Sequence, residues 1–393
     1  MKKFSEVEFL SKLVRVDTNA QTKVGYTSCA MLIEREAKKL GFKTRVYDAV
    51  KETPDKKPRP SVVADLDVGA GNTILLVTHY DVVPPGVGWK RDPFKLKVER
   101  GKAFGRGATD DKGSIVAALG ALHYLGKQSK INLSLVASPD EEVGGEFGIG
   151  YLLDHKYIDG DGTVILDASP EMVSVGASGV MWGIITVKGK QGHAGYPHKT
   201  RNAIEAALPF LNDLKEYSKI REKVRSRILA PPGSPHKYIW GRFSLTILKA
   251  GEKENIIPGR CEARFDLRVC PDEDYGAARQ NLKDYFSRLV AKHKIDATLE
   301  LPKHKFSNYY TDARHPLVSN FQKAASTAAK KRLKICGELG GNDGHFFARK
   351  GIPVISFGTN RIECNFHGAD EFVYLNDIKL VEKAVVNLAR NWT

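Results

Sequence analysis

The stretch Thr73-Ile-Leu-Leu-Val-Thr-His79-Tyr-Asp81 decides the fold. Ile74 to Val77 form a short apolar run, which is typical of a strand buried on both faces of a parallel sheet. His79 and Asp81 follow two residues apart, so they point the same way from an extended chain. In an open α/β sheet, ligands collect beyond the carboxyl ends of the strands. The stretch therefore predicts a binding crevice at His79 and Asp81.

The composition is that of a globular protein with more than one domain. The chain has 393 residues, of which 42% are hydrophobic and 27% are charged, and this length favours two domains. The formal net charge is +15, from 61 Lys and Arg against 46 Asp and Glu. The basic residues are spread along the chain without a long run, so we expect anionic small substrates rather than nucleic acid.

The cysteines and the apolar runs indicate a cytoplasmic protein. The five cysteines are odd in number and lack Cys-x-x-Cys spacing, which favours reduced thiols in a cytosol. No apolar core follows Met1, and no run approaches the ~18 apolar residues of a membrane span. We therefore expect no membrane partner.

Other predicted strands also end in acidic residues. Asn132–Ala137 runs into Ser138-Pro-Asp140-Glu141-Glu142, and Thr163–Leu166 is followed by Asp167. Asp110 stands just before the helical pattern that begins near Ile115, and His367 follows the strand Pro353–Phe357. Each residue alone has an ordinary explanation, since Asp110 or Asp111 would serve as an N-cap and His79 as a strand-end histidine. If the sheet is doubly wound, however, they converge on one crevice.

The segment of residues 177–302 interrupts this series of strands with acidic ends. Met181–Lys188 alternates as a strand, Asn202–Lys219 has the spacing of an amphipathic helix, and Asp272–His293 that of another. With the strands between and after them, the order is βαββαβ, which is typical of a small ferredoxin-like domain. We predict an α/β fold in which a doubly wound, mixed-sheet catalytic domain (residues 1–176 and 303–393) contains an inserted βαββαβ domain (residues 177–302).

Histidine and carboxylate ligands suit zinc or a similar divalent ion better than calcium, which prefers oxygen alone. One bridging carboxylate, with a histidine and a carboxylate for each metal, would hold two ions roughly 3.5–4 Å apart. Two such ions polarise a carbonyl and lower the pKa of a bound water to near ~7. The adjacent glutamates supply one ligand and one free base for hydrolysis.

These motifs resemble the two-zinc metallohydrolases that include succinyl-diaminopimelate desuccinylase, acetylornithine deacetylase, aminoacylase and glutamate carboxypeptidase. The resemblance covers nearly the whole chain. Its motifs here are His79-x-Asp81, Gly105-Arg-Gly-x-x-Asp110-x-Lys-Gly113, Asp140-Glu141-Glu142, Asp167, Gly192-His193 with Pro197, and His367-Gly-x-x-Glu371.

The resemblance implies a ligand set for two divalent ions per subunit, with zinc first and cobalt or manganese as alternatives. His79 and Asp167 would bind one ion, Glu142 and His367 the other, and Asp110 both.

It also implies roles for residues that are not ligands. Asp81 would fix the imidazole of His79, and Glu141 would be the general base and acid. The inserted domain would be a lid and dimerisation domain of a homodimer. Within it, His193 would reach the partner's active site and stabilise the oxyanion there.

The expected substrate contacts are Arg268, Asn255, Gly341 and Asn342. A guanidinium suits a carboxylate, although Arg268 would equally be an ordinary surface residue. Asn342 departs from the Gly-Gly-Thr-Ser-Asp-Gly loop that desuccinylases usually have, which puts a succinyl group in doubt.

We expect a deacylase of N-acyl amino acids, resembling succinyl-diaminopimelate desuccinylase or acetylornithine deacetylase. The alternative within enzymes is a dipeptidase or carboxypeptidase that uses the same centre on a short peptide. The alternative outside enzymes is a basic nucleic-acid-binding or scaffold protein, which would need a missing ligand or salt-sensitive affinity for DNA.

Overall fold

The computed structural model describes residues 4–301 and 306–393, which form two compact units. The first unit comprises Met1–Gly176, Tyr310–Glu338 and Asn342–Thr393, and the second comprises Ala177–Tyr309 and Leu339–Gly341. The expected boundary between residues 302 and 303 lies outside the described residues.

The helices of the described residues are α1 (Glu6–Val14), α2 (Tyr26–Lys39), α3 (Lys112–Leu125), α4 (Tyr151–Asp154), α5 (Ala203–Lys215), α6 (Tyr217–Glu222), α7 (Tyr275–His293), α8 (Pro316–Ala329), α9 (Gly344–Arg349) and α10 (Leu375–Asn391). Among these residues, no helix has both the length and the apolar character that crossing a bilayer requires.

The strands are β1 (Lys43–Asp48), β2 (Pro60–Leu66), β3 (Thr73–His79), β4 (Lys97–Glu99), β5 (Lys102–Phe104), β6 (Asn132–Ser138), β7 (Gly162–Ile165), β8 (Met172–Ala177), β9 (Gly179–Lys188), β10 (Gly192–His193), β11 (Arg225–Leu229), β12 (Tyr238–Trp240), β13 (Arg242–Ala250), β14 (Ile256–Ile257), β15 (Arg260–Val269), β16 (Asp296–Glu300), β17 (Tyr309–Tyr310), β18 (Lys334–Glu338), β19 (Val354–Ser356) and β20 (Phe372–Tyr374).

The largest sheet is mixed, with the spatial order β1-β2-β6-β3-β7-β19-β8-β17 and β18 paired to β8. Its centre, β6-β3-β7-β19, is parallel. Antiparallel pairs join β1 to β2, β2 to β6 and β19 to β8. The chain passes from β3 to β6 on one side and then to β7 on the other, as in a doubly wound sheet. The predicted α/β fold class is confirmed.

The parallel centre is buried because both of its faces are covered. Ile74 to Val77 of β3 are at most 2% exposed, which explains a continuous apolar run in place of alternation. Helix α3 packs against β3, β6, α1 and α10, and Ile115, Leu119 and Leu122 are fully buried. A helix that is covered all round needs no polar stripe.

A small sheet, β20-β5-β4, lies in the same unit. β20 pairs antiparallel with β5, and Phe372 is opposite Phe104. This pairing places Glu371, just before β20, beside Gly105, just after β5, and the backbone N–H of Gly105 donates to the carbonyl of Glu371 at 2.9 Å. Residues far apart in sequence therefore meet at the start of the loop that leads to Asp110.

The second unit contains a four-stranded antiparallel sheet in the order β13-β15-β9-β16. Along the chain the order is βαββαβ, with α5 after β9 and α7 after β15, and the hairpin β11–β12 is an addition to this plan. Its core includes Phe210 of α5, Phe265 and Leu267 of β15, and Phe286 of α7. The unit therefore has a hydrophobic core of its own.

One predicted helix is two helices in the structure. The predicted helix over Asn202–Lys219 corresponds to α5, which ends at Lys215, and to α6, which begins at Tyr217 and ends at Glu222. Tyr217 is fully buried, and its hydroxyl donates to Oδ1 of Asn281 at 2.7 Å. A tertiary contact that follows the break is not visible in helical periodicity.

Candidate metal centre

Parallel strands of the large sheet end at one edge, and their last residues carry the candidate site. His79 is the last residue of β3 and is paired with Ser138, the last residue of β6. On the other side of β3, β7 ends at Ile165, two residues before Asp167. Glu142 follows β6 by four residues. The strand register therefore delivers these side chains to the same crevice.

Five side chains form two groups in which the ligand atoms lie within 4.8 Å of one another. One group is His79, Asp110 and Asp167, and the other is Asp110, Glu142 and His367. The structure brings together the five side chains that the sequence named as metal ligands, and Asp110 belongs to both groups.

The carboxylate of Asp110 faces both histidines, one with each oxygen. Nε2 of His79 lies 3.0 Å from Oδ1, and Nε2 of His367 lies 3.1 Å from Oδ2. The outer ligands lie further away, with 3.8 Å from His79 Nε2 to Asp167 Oδ2 and 3.3 Å from His367 Nε2 to Glu142 Oε2. Two ligand atoms on one tetrahedral zinc are about 3.4 Å apart, so these separations suit an ion in each group.

The electrostatics of the cluster favour positive charge. Burial, together with the charge of Asp110, raises the pKa of Glu142 to about 7 and that of Asp167 to about 6. Hydrogen bonds to Asp110 and Glu142 raise the pKa of His367 to about 10. Clustered carboxylates favour the protonated forms of one another because the anions repel, and they favour the protonated imidazole because opposite charges attract. A divalent cation would supply the same positive charge.

The residues fit such a cation by their chemistry. Two imidazoles and three carboxylates are ligands that zinc and similar ions accept. Oε1 of Glu142 is buried and makes no hydrogen bond within residues 4–301 and 306–393. A buried acceptor without a donor is costly, and a bound cation would remove that cost.

Glu371 holds the loop that carries Asp110. Its carboxylate is fully buried and accepts hydrogen bonds from Nη1 of Arg106 and from the backbone N–H groups of Gly107, Thr109 and Asp110. Arg106 is itself 1% exposed. The loop therefore closes on a buried carboxylate whose charge a guanidinium neutralises.

Asp167 is oriented by the loop after β19. Nδ2 of Asn360 donates to Oδ1 of Asp167 at 2.5 Å, which leaves Oδ2 as the oxygen nearer His79. Thr359 and Thr109 each donate a hydroxyl hydrogen bond to the other's carbonyl, at 2.9 and 2.8 Å. The loop that positions Asp167 is thereby joined to the loop that carries Asp110.

Asp81 acts on both sides of the centre. Its carbonyl accepts a hydrogen bond at 3.0 Å from Nδ1 of His79, while its carboxylate oxygen is 3.5 Å from the same nitrogen. Donation from Nδ1 leaves the Nε2 lone pair for a metal. The carboxylate accepts the backbone N–H groups of Glu141 and Glu142 at 3.3 and 3.1 Å. It therefore holds the turn after β6 as well as the ring.

Glu141 stands beside the ligands. Among the described residues, it belongs to neither ligand group. Its side chain is partly buried, and burial together with the charge of Asp167 raises its pKa well above the ordinary value. A carboxyl group with a raised pKa next to a metal centre is suited to accept and return a proton.

The model of peptidase family M20/M25/M40 matches residues 75–391. The chain belongs to this family. It is 31% identical over 349 residues to a protein of Methanocaldococcus jannaschii described as an uncharacterized metallohydrolase, with 82% of each chain covered. It is 30% identical over 376 residues to a succinyl-diaminopimelate desuccinylase of Helicobacter pylori, covering 89% of this chain and 87% of that one.

Among solved structures, an M20 family metallo-carboxypeptidase of Sulfolobus solfataricus has the same fold, with a TM-score of 0.81 over 99% of both chains and 18% identity. The protein is thus an M20 metallohydrolase, as its motifs predicted.

Four other predicted site residues lie in the second unit of this M20 chain, namely His193, Asn255, Arg268 and Gly341. His193 in β10 is exposed, pairs with Ile256 of β14, and accepts the N–H of Gly195 on Nδ1 at 3.0 Å. Asn255 precedes β14, and its carbonyl accepts the N–H of Ala194, so the backbone around His193 and Asn255 is joined. In the same unit, Nε of Arg268 donates to Oδ1 of Asp266 at 2.7 Å.

Gly341 and Asn342 belong to different units, since the second unit ends its last segment at Gly341. A Cβ on Gly341 would lie 3.1 Å from Cβ of Phe306, so the position is tight. Asn342 is 4% exposed, accepts the N–H of Gly344 and donates to Oγ of Ser356. Its amide is engaged within the protein.

A cavity of about 350 Å³ lies beside His193 in the second unit, lined by Lys190, Gln191, Gly192, His193, Tyr196, Lys199 and Thr200. Its two lysines give it a cationic character that suits an anionic group.

Apart from Asp81, sequence reasoning missed the residues that hold the ligands. Asn360 follows β19 as Asp167 follows β7, so the same strand-end pattern would have singled it out. Glu371 was in a quoted motif, but its contact with Arg106 spans 265 positions and leaves no local signal.

We expect about two divalent ions per subunit, and the shared ligand predicts unequal losses on substitution. Asp110→Asn should lose both ions because Asp110 belongs to both groups, whereas Asp167→Asn should keep the one held by Glu142 and His367. Elemental analysis after gel filtration measures this. Asp154→Asn, at an exposed carboxylate, is the control and should keep both. An Asp110→Asn protein that retains two ions would contradict the bridging role.

Proposed function

We propose that this M20 metallohydrolase cleaves the amide bond of an N-acyl amino acid, using two divalent ions, with zinc as the first candidate and cobalt or manganese as alternatives. The observation that carries the proposal is the carboxylate of Asp110, which faces a histidine with each oxygen. Glu141, whose carboxyl group belongs to neither ligand group of the described residues, lies near His79 and Asp167. This combination suits hydrolysis at a carbonyl rather than simple metal storage.

The chain's own residues would divide the work as follows. His79 and Asp167 hold one ion, Glu142 and His367 the other, and Asp110 both. When bound, such ions polarise a carbonyl and lower the pKa of water.

Glu141 would take a proton from the attacking water on its carboxylate and give it to the amide nitrogen. In that sequence a C–O bond forms, the C–N bond breaks, and the amine leaves neutral. The carboxylate of Asp81 accepts hydrogen bonds from the backbone N–H groups of Glu141 and Glu142. It therefore fixes the proposed base, Glu141, relative to the proposed ligand, Glu142.

An anionic acyl group is the substrate feature that we favour. The relative from Helicobacter pylori is named a succinyl-diaminopimelate desuccinylase and is 30% identical. The cavity beside His193 is lined by Lys190 and Lys199, which would attract a second carboxylate. Arg268, Asn255, Gly341 and Asn342 remain our proposed substrate contacts. The amide of Asn342 is already engaged, so its loop would contribute backbone groups.

We propose a cytoplasmic homodimer in which His193 completes the partner's site. Among the described residues, β13 lies at the edge of its sheet and exposes the apolar side chains of Leu245, Ile247 and Leu248. An edge strand of this kind invites pairing, which supports a second copy. In the described residues all five cysteines are free and buried, which agrees with a reducing compartment. We assign no nucleic acid or membrane as a partner.

A substrate panel tests the reaction. We expect hydrolysis of N-succinyl amino acids to exceed that of N-acetyl amino acids and of dipeptides, because the cationic cavity favours the extra carboxylate. The rates are measured with zinc, cobalt and manganese, and after chelation, which should abolish them. Preference for dipeptides or for C-terminal residues of peptides would instead support the peptidase alternative. Metal-independent hydrolysis would contradict the proposal.

Glu141→Gln should lower turnover by roughly 10²–10⁴-fold, the usual contribution of general acid–base catalysis. Metal content should stay normal because the ligand Glu142 is intact. Turnover and elemental analysis are measured on the same preparation. Glu146→Gln, an exposed glutamate in the same segment, is the matched control and should be unaffected. A Glu141→Gln enzyme with near-normal turnover would assign the base to another residue.

Complementation tests the role of His193 across the dimer. Glu141→Gln and His193→Ala homodimers should each be nearly inactive. Subunit exchange should restore activity, because one site of each heterodimer then has Glu141 from one chain and His193 from the other. His198→Ala replaces His193→Ala in the control mixture and should be active before mixing. If mass spectrometry confirms exchange and no activity returns, His193 does not act in the partner's site.

A further inference from the structure

A buried ion pair lies at the start of the turn that carries Glu141 and Glu142. Nε of Arg59 is 2.8 Å from Oδ1 of Asp140 and donates to Oδ2 at 2.9 Å, and both side chains are 3% exposed. Asp140 directly precedes Glu141. A charged pair this deeply buried is costly to break, because the remaining charge is left without a partner.

The guanidinium of Arg59 is fixed on its other sides as well. Nη2 donates to both carboxylate oxygens of Asp55 at 2.9 and 3.1 Å, and Nη1 donates to the carbonyl of Lys57 at 3.0 Å. It also lies over the ring of Tyr26, 5.7 Å from the centroid. Arg59 is therefore a rigid anchor, and Asp140 is held to it.

Asp140 in turn shapes the turn that follows. It has a φ of +74°, and its carbonyl accepts the N–H groups of Val143 and Gly145 at 3.1 and 2.7 Å. Gly145 has a φ of +70°, and a Cβ there would lie 2.1 Å from Oδ1 of Asp343. The far side of the turn is therefore packed as well. Because Glu142 lies between Asp140 and Gly145, we expect a shift of Asp140 to move Glu142.

The other ligands have supports of their own. His79 ends a central strand, Asp167 is held by Asn360, and the loop of Asp110 is held by Glu371. Among the five ligands, only Glu142 lies on the turn that Arg59 anchors.

We propose that Arg59, through Asp140, is a positioning residue for one half of the metal centre. It keeps Glu142 in place so that the group Asp110, Glu142 and His367 retains its ion, while the group of His79, Asp110 and Asp167 does not require it. This inference rests on the proposed two-ion site.

The experiment measures the binding of Zn²⁺ and Co²⁺ to metal-free protein by calorimetry. In Arg59→Met, the ion at Glu142 and His367 should bind roughly 10–100-fold more weakly, as for other residues that orient ligands. The ion at His79 and Asp167 should bind as in the wild type. Asp140→Asn, which removes the charge but keeps the shape, should give the same asymmetry. Arg59→Lys keeps the positive charge but loses the planar guanidinium. Its affinity for the ion at Glu142 and His367 should lie between those of the wild type and Arg59→Met.

Two backgrounds assign the weakened ion. In Asp167→Asn, where the ion held with Glu142 remains, adding Arg59→Met should weaken the remaining binding by the same factor. In His367→Ala, where the other ion remains, it should change nothing. The matched control is Arg221→Met, which breaks the bidentate pair between the buried Arg221 and the half-buried Glu273 in the second unit and should leave both affinities unchanged.

The outcomes separate this inference from the proposed function. Wild-type protein that binds no ions would overturn both. If the wild type binds two ions and Arg59→Met weakens the binding of both equally, or of neither, only the positioning role of Arg59 is overturned. If Arg59→Met does not fold, Arg59→Lys and Asp140→Asn decide, and normal affinity for both ions in these two variants would overturn the inference.

Discussion

The rest of the centre depends on one carboxylate that serves two histidines. Asp110 offers one oxygen to His79 and the other to His367, so its backbone must be fixed to a fraction of an ångström. Glu371 does this from a fully buried position, with three backbone N–H groups and the guanidinium of Arg106 as donors. A buried carboxylate is tolerable only when its charge is met by donors of this kind.

The two halves of the centre are held by different parts of the fold. His79 and Asp167 stand at the ends of parallel strands, where register fixes their spacing, and Asn360 orients Asp167. Glu142 instead lies on a turn, and a turn needs side-chain anchors, which Asp81 and Arg59 supply. The same chemistry therefore rests on a sheet on one side and on an ion pair on the other.

The second unit carries chemistry of another kind. It has an independent core around Phe210 and Phe265, so its fold does not rely on the metal centre. The groups that we propose for substrate contact, among them His193 and Arg268, lie on its exposed or half-exposed surface. Exposed groups on a separate core are free to vary with substrate, whereas a strand-end ligand such as His79 is fixed by the register of the sheet.

The sequence by itself determined the fold class, the strand ends at which His79 and Asp167 stand, and the order βαββαβ of the second unit, because periodicity and strand-end residues are local properties of the chain. Apart from Asp81, the residues that hold the ligands were decided by the tertiary structure alone. Asn360 meets Asp167 across 193 positions, and Arg59 meets Asp140 across 81. Such pairs follow from strand order and packing, so no local sequence pattern predicts them.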